Sequence, residues 1–196
     1  MIKKLFSILI CFFLLTGKLY AIDNSFLSIG NQNSKITIKV FSSLTCPHCA
    51  NFHKKIFDDL KKEYIDKNNV RFEHHSFPLD LAALNAEKLL RCVVDKEKSF
   101  KLLSEIYESQ NQWAVGSDIN KINASIKKIG ISFEIDPEKI DKCLGDEKTQ
   151  DIILNERIAA QKNYKITSTP TIYINEKKYS GKHEFKEFKK ALEKLL

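Results

Sequence analysis

The sequence predicts an α/β fold with the element order β-α-β, a block of helices, and then β-β-α. Three observations support this prediction. Two strand-like stretches flank an amphipathic helix in residues 35–77, the next ~85 residues show helical periodicity alone, and strand patterns return only after residue 165. At 196 residues the chain can bury a sizeable core without help from disulfides or metals.

The first strand-helix-strand unit lies in residues 35–77. Residues 35–43 alternate apolar and polar side chains and predict a strand, and residues 70–77 predict a second strand that ends at Pro78. Between them, apolar residues recur every four positions and predict one face of a helix (Phe52, Ile56, Leu60 and Tyr64). A single helix between two strands requires a parallel pair with a right-handed crossover.

The second part of the chain separates into helices and a C-terminal strand pair. Residues 80–165 carry several helical stripes, and we interpret them as an insertion with a helix start at Asp136-Pro137 and a break near Gly145. Strand patterns at 171–174 and 178–180 precede an amphipathic C-terminal helix. We therefore expect one α/β domain formed by residues 22–79 and 166–196, interrupted by the insertion 80–165.

The first 21 residues predict a secretory signal peptide. Lys3 and Lys4 precede an apolar run at 5–15, and a small residue, Ala21, marks the expected cleavage point. The run is too short to span a membrane, although an uncleaved anchor is the alternative. We expect export to the periplasm of a Gram-negative-type bacterium. Removal of residues 1–21 lowers the net charge from +7 to +4, and the scattered lysines predict no nucleic-acid partner.

The tetrapeptide Cys46-Pro47-His48-Cys49 carries the strongest chemical signal. Pro47 suits the first position of a helix and disfavours a helical conformation at Cys46, so Cys46 is predicted at the N-cap. A thiolate there is stabilised by free backbone N–H groups and the helix dipole. We predict Cys46 as the nucleophile and Cys49, one turn inside, as the resolving thiol. The His48 imidazole can donate a further hydrogen bond to the thiolate and, when protonated, supplies a positive charge beside it.

Two other patterns bear on the site. The alternative to a redox role is that the two cysteines supply two of the four ligands of a zinc ion. No second pair of ligands with suitable spacing follows in the sequence, so we predict no metal site. Pro170, in Ser168-Thr169-Pro170, could by itself be an ordinary proline before a strand. Together with the cysteine motif and the element order, it indicates part of the site.

Four cysteines follow Ala21, and their even number fits two pairs with three possible connectivities.

These residues together resemble the periplasmic disulfide oxidoreductase DsbA and its relatives. The resemblance covers essentially all of the chain after Ala21 and implies a thioredoxin fold without a cofactor. It also implies a cis Thr169–Pro170 bond whose loop faces Cys46 and binds substrate through its backbone. Reduced exported proteins would be the substrates, through a mixed disulfide at Cys46, and a DsbB-like quinone-linked membrane protein would reoxidise the pair.

One position departs from the family pattern. Many members carry a buried acidic residue six positions before the first cysteine, where this chain has Val40. The sequence therefore does not show how Cys49 loses its proton. His53 is expected to be solvated, the alternative being that it tunes the site. The adjacent His74 and His75 are expected to be structural residues on opposite faces of their strand.

Several alternatives remain at the level of the sequence. We expect a structural disulfide between Cys92 and Cys143, the alternative being two unpaired buried cysteines. A disulfide isomerase or reductase of the same fold is the nearest rival function. The short stretch before residue 35 leaves little room for a dimerisation domain, so we expect a monomer. A copper carrier using the thiols and His48 is a further alternative, although the initiator is the only methionine.

Overall fold

A five-stranded sheet forms the centre of the protein. The computed structural model describes residues 26–196, and the predicted signal peptide lies outside the described residues. The strands are β1 (Leu27–Ile29), β2 (Ile36–Ser42), β3 (Val70–Ser76), β4 (Thr171–Ile174) and β5 (Lys177–Lys178), in the spatial order β1-β3-β2-β4-β5. Strands β2 and β3 are parallel, as predicted, whereas the other neighbouring pairs are antiparallel.

Strand β1 was not predicted from the sequence. It pairs with the outer edge of β3, with Leu27 opposite His74 and Ile29 opposite Phe72. Three residues are too few to show a period-two pattern, so only the pairing with β3 identifies this segment as a strand.

The helices follow the predicted order. Helix α1 covers residues 47–65 and alternates α-helical turns (Pro47–Phe52, Asp58–Leu60) with π-helical turns (His53–Phe57, Lys61–Ile65). Between β3 and β4 come α2 (Leu81–Arg91), α3 (Lys96–Glu108), α4 (Gln110–Trp113), α5 (Ile119–Ser132), α6 (Pro137–Gly145) and α7 (Glu147–Tyr164), and α8 (Phe185–Glu193) ends the chain. The break predicted near Gly145 is confirmed. None of the helices among residues 26–196 has the length and apolarity of a membrane span.

Each face of the sheet is covered by helices. Ile38 and Val40 of β2 contribute to the main core together with residues of α1, α3 and α8. The alternate residue Phe41 faces the other side, where it packs with Ala160 and Ile166 at the end of α7 and beyond. Burial on both faces agrees with the three consecutive buried residues, Val40, Phe41 and Ser42, at the C-terminal end of β2.

A disulfide between Cys92 and Cys143 fastens the helical insertion. The bond joins the end of α2 to α6, with the two Cα atoms 6.0 Å apart, and it links residues 51 positions apart in the sequence. Closing a loop of this length restricts the unfolded chain much more than the folded one.

We therefore expect the double variant Cys92→Ser, Cys143→Ser to lose about 2–4 kcal/mol of unfolding free energy, measured by urea denaturation without reductant. Changing both cysteines avoids leaving a free thiol. The reactivity of Cys46 serves as the control and should be unchanged, since the disulfide lies in the insertion. A loss below about 0.5 kcal/mol would show that the bond does not stabilise the insertion.

Candidate active site

The first turn of helix α1 holds both cysteines of the motif. Cys46 is the N-cap, with extended φ and ψ angles of −80° and 118°, and Pro47 opens the helix, as predicted. The Cys46 carbonyl accepts hydrogen bonds from the backbone N–H groups of Cys49 (3.0 Å) and Ala50 (3.1 Å). The Cys46 side chain makes no capping hydrogen bond, and its sulfur lies at the N-terminal end of the helix.

The two thiols are free and differ sharply in their surroundings. Cys46 retains 7% exposure at the protein surface, whereas Cys49 is 1% exposed. A hydrogen bond from Cys49, together with contributions from Thr169 and from the N–H groups of Cys49 and His48, lowers the pKa of Cys46 to about 5. Burial, followed by the interaction with Cys46, raises the pKa of Cys49 far above its ordinary value. At neutral pH one sulfur is therefore a thiolate and the other a thiol.

The loop before β4 lies against the nucleophilic end of helix α1. The Thr169–Pro170 peptide bond is cis, which confirms that expectation, and the Thr169 carbonyl oxygen lies 3.5 Å from Cys46 Sγ. The Thr169 hydroxyl is buried and has no hydrogen-bond partner within the described chain, so it is available to a thiolate. The structure thus brings the Thr169–Pro170 loop next to Cys46, although more than a hundred residues separate the two in the sequence.

Two polar residues that support the motif were not identified from the sequence. Gln110, in the short helix α4, donates from Nε2 to the carbonyl oxygens of Leu44 (2.7 Å) and Cys46 (3.2 Å). Asp80 caps helix α2 and accepts a 2.7 Å hydrogen bond from the Thr45 hydroxyl, directly before the motif. Both contacts join the insertion to the active-site turn, and neither residue carries a sequence pattern that distinguishes it from a solvated polar residue.

The histidines differ in their placement. His48 is exposed at the start of helix α1, beside the nucleophile, as its position in the motif implies. His53 was expected to be solvated, and this expectation is wrong. It is buried, donates or accepts a 2.8 Å hydrogen bond with the Ser104 hydroxyl, and stacks on Phe57. It lies one turn beyond Cys49 and therefore faces the core.

The sequence matches the family described as Thioredoxin over residues 24–194, nearly the whole chain. The crystal structure of alpha-DsbA1 from Wolbachia pipientis superimposes with a TM-score of 0.81 at 27% identity, covering 90% of this chain and 93% of that one. The chain is a DsbA-like member of the thioredoxin superfamily. The fold predicted from the sequence, a thioredoxin fold with a helical insertion, is thereby confirmed.

Other relatives of this DsbA-like chain carry names of the same kind. A Rickettsia bellii protein named as a protein-disulfide oxidoreductase is 32% identical over 157 residues, which are 80% of this chain and 59% of the relative. The chain thus spans little more than half of that relative's length. Disulfide bond formation protein D of Bacillus subtilis is 28% identical over 178 residues, covering 86% of this chain and 76% of that protein.

The environment of the thiols predicts an acidic titration of Cys46. The thiolate absorbance of the reduced protein should appear with a midpoint near pH 5, being present above this pH and lost below it. Replacing Cys49 with alanine removes the hydrogen bond that contributes most, and should raise the pKa of Cys46 by roughly one unit or more.

The variant Cys46→Ala is the control for this titration, because it should show no thiolate absorbance in the acidic or neutral range. A midpoint in the ordinary range of a free cysteine, or an unchanged midpoint in Cys49→Ala, would contradict the account of the site.

Proposed function

We propose that this chain is a thiol:disulfide oxidoreductase that donates its Cys46–Cys49 disulfide to reduced exported proteins. The observation that supports this function best is the opposite environment of the two sulfurs. One is a stabilised thiolate at the helix start, and the other is a buried thiol one turn inside. His48 and Pro47 shape this turn, and the Thr169–Pro170 loop is the proposed binding edge for the substrate backbone.

The low pKa of Cys46 determines the preferred direction of exchange. With a pKa of about 5 instead of 9, the thiolate at pH 7 stabilises the reduced form by about 3 kcal/mol. For a two-electron couple this difference corresponds to roughly 60 mV in the oxidising direction. Since the stabilisation belongs to the dithiol form only, the disulfide form is the one that reacts forward and passes its bond to a substrate.

The proposed transfer proceeds through two exchanges. A substrate thiolate attacks Cys46 Sγ, the Cys46–Cys49 bond breaks, and Cys49 leaves with the electron pair. A second substrate thiolate then attacks the substrate sulfur of the mixed disulfide, and Cys46 leaves as its stabilised thiolate. The substrate loses two electrons and gains a disulfide, while the enzyme is left reduced.

The proposed setting follows from this chemistry. A donor of disulfides is useful in an oxidising compartment, which agrees with the signal peptide predicted for residues 1–21 and with the second cysteine pair, Cys92 and Cys143. We place the protein in the periplasm as a monomer and propose a DsbB-like, quinone-linked membrane protein as its reoxidant. No cofactor is needed, because the electrons pass between sulfur atoms.

The variant Cys49→Ala provides the direct test. It keeps the nucleophile, whose thiolate attacks the disulfide of an exported protein in the reverse of donation, but it lacks the Cys49 thiol that would displace the substrate again. Exported proteins should therefore accumulate as covalent adducts on Cys46. These adducts are detected as reductant-sensitive bands on non-reducing gels of periplasmic extract and identified by mass spectrometry.

The matched variant Cys46→Ala retains the other thiol and should trap nothing, because Cys49 is buried. Equal trapping by the two variants would contradict the assigned roles, and an absence of adducts in Cys49→Ala would contradict disulfide donation.

A further inference from the structure

The side-chain amide of Gln110 binds two backbone carbonyl groups of the active-site turn. Its Nε2 atom lies 2.7 Å from the Leu44 oxygen and 3.2 Å from the Cys46 oxygen. Carbonyl oxygens only accept hydrogen bonds, so the atom in contact is the amino nitrogen, and its two hydrogens match the two contacts. One side chain of the insertion thus holds the backbone on both sides of Thr45, directly before Pro47.

The two carbonyl groups differ in what else binds them. Leu44 is fully buried, so water does not reach its carbonyl oxygen. A buried carbonyl group that loses its donor is unfavourable, so Gln110 stabilises the turn in the conformation that both contacts require. The Cys46 carbonyl oxygen also accepts the N–H groups of Cys49 and Ala50 in the first turn of helix α1. The amide of Gln110 is therefore joined, through one peptide unit, to the start of this helix.

Helix α4 gives this amide a fixed position. Trp113, at the end of α4, is buried and donates from Nε1 to the Ile106 carbonyl oxygen of α3 at 2.8 Å. The Ser109 hydroxyl, directly before α4, donates to the Glu105 carbonyl oxygen of α3 at 2.7 Å. Both ends of the short helix are thus fastened to α3, and Gln110 lies between them.

The conformation of the turn decides where the Cys46 sulfur lies. The carbonyl group and the side chain of Cys46 leave the same Cα atom, so holding this carbonyl at the observed ψ of 118° also holds the direction of the side chain. The hydrogen bond from Cys49 contributes most to the low pKa of Cys46, and the N–H groups of Cys49 and His48 add to it. Each of these contacts depends on the position of the sulfur.

We propose that Gln110 is a positioning residue for the reaction, because its amide holds the turn that places the Cys46 sulfur against the Cys49 thiol and the N–H groups of the first turn. Gln110 touches backbone oxygens and no reacting atom, so it acts through Cys46. The proposal rests on the proposed function, in which Cys46 leaves as a stabilised thiolate in the second exchange.

The test titrates the thiolate absorbance of the reduced protein in three variants. Gln110→Met keeps the length of the side chain without a donor and should raise the Cys46 midpoint by about half a pH unit or more. Gln110→Glu keeps the shape but replaces the donor with a negative charge, and should raise it by about one unit or more. Gln110→Lys retains a donor and adds a positive charge, so its midpoint should equal that of the wild type or lie below it.

The equilibrium with glutathione is the second readout. A higher pKa of Cys46 weakens the stabilisation of the reduced form. A rise of about half a unit should therefore shift the equilibrium constant at pH 7 about threefold towards the oxidised protein. A substitution that only loosens the fold does not couple the two measurements in this way. Urea denaturation of each variant records any loss of stability separately.

Gln112 provides matched controls on the same helix, because its side chain is exposed. Gln112→Met and Gln112→Glu repeat two of the changes at a solvated position. Both should keep the Cys46 midpoint within about 0.2 pH unit of the wild type, since solvent and salt screen an exposed charge.

The outcomes separate this proposal from the proposed function. Unchanged midpoints in Gln110→Met and Gln110→Glu, or an equal rise in all three Gln110 variants, would overturn the role of the amide donor. If Gln110→Met fails to fold, the opposite shifts expected for Gln110→Glu and Gln110→Lys decide the question. The titration needs no substrate, so either result leaves the trapping of adducts by Cys49→Ala as an independent test of disulfide donation.

Discussion

The start of helix α1 at Cys46 determines most of the chemistry of this protein. Strand β2 ends at Ser42, and Pro47 begins the helix only a few residues later, so Cys46 must be the N-cap. The same turn carries Cys49 into the core and within hydrogen-bond reach of Cys46, and this bond, with a smaller effect of the backbone N–H groups of the turn, favours a negative charge on the Cys46 sulfur. One local conformation thus creates a thiolate and a thiol within a single redox pair.

The sheet supplies the remaining constraints on the site. Because β2 and β3 are parallel, their C-terminal ends meet at one edge, and Ser42 is opposite Ser76. Strand β4 runs antiparallel to β2, with Thr171 opposite Phe41, and this pairing brings the preceding cis-proline loop to the sulfur of Cys46. The active-site turn therefore has the Thr169–Pro170 loop, which precedes β4, on one side and the end of β3 on the other.

The elements that carry periodic patterns were predicted from the sequence. The parallel β2–β3 unit, the helical insertion and the C-terminal helix all have patterns long enough to identify. The role of Cys46 as the N-cap followed from the stereochemistry of Pro47 alone. Strand β1 was missed because three residues carry no period, and only its partner β3 identifies it.

The supporting residues of the site could not be predicted for a different reason. Gln110 contacts the backbone around Cys46 across 64 positions of sequence, and no local pattern reports such a contact. His53 was expected to be solvated because it follows the motif on a surface helix, but its turn faces the core. Val40 departs from the family pattern, and no local pattern shows that His74, its partner in the sheet, is bound to the buried Glu87.

The reduction potential of the Cys46–Cys49 pair tests the central claim most directly. It is obtained by equilibrating the protein that begins after Ala21 with glutathione redox buffers and quantifying the oxidised fraction. The account predicts a value near the oxidising end, roughly −120 to −150 mV, because the thiolate of Cys46 stabilises the reduced form. A value of about −250 mV or lower would contradict disulfide donation and indicate a reductase or an isomerase that a partner keeps reduced.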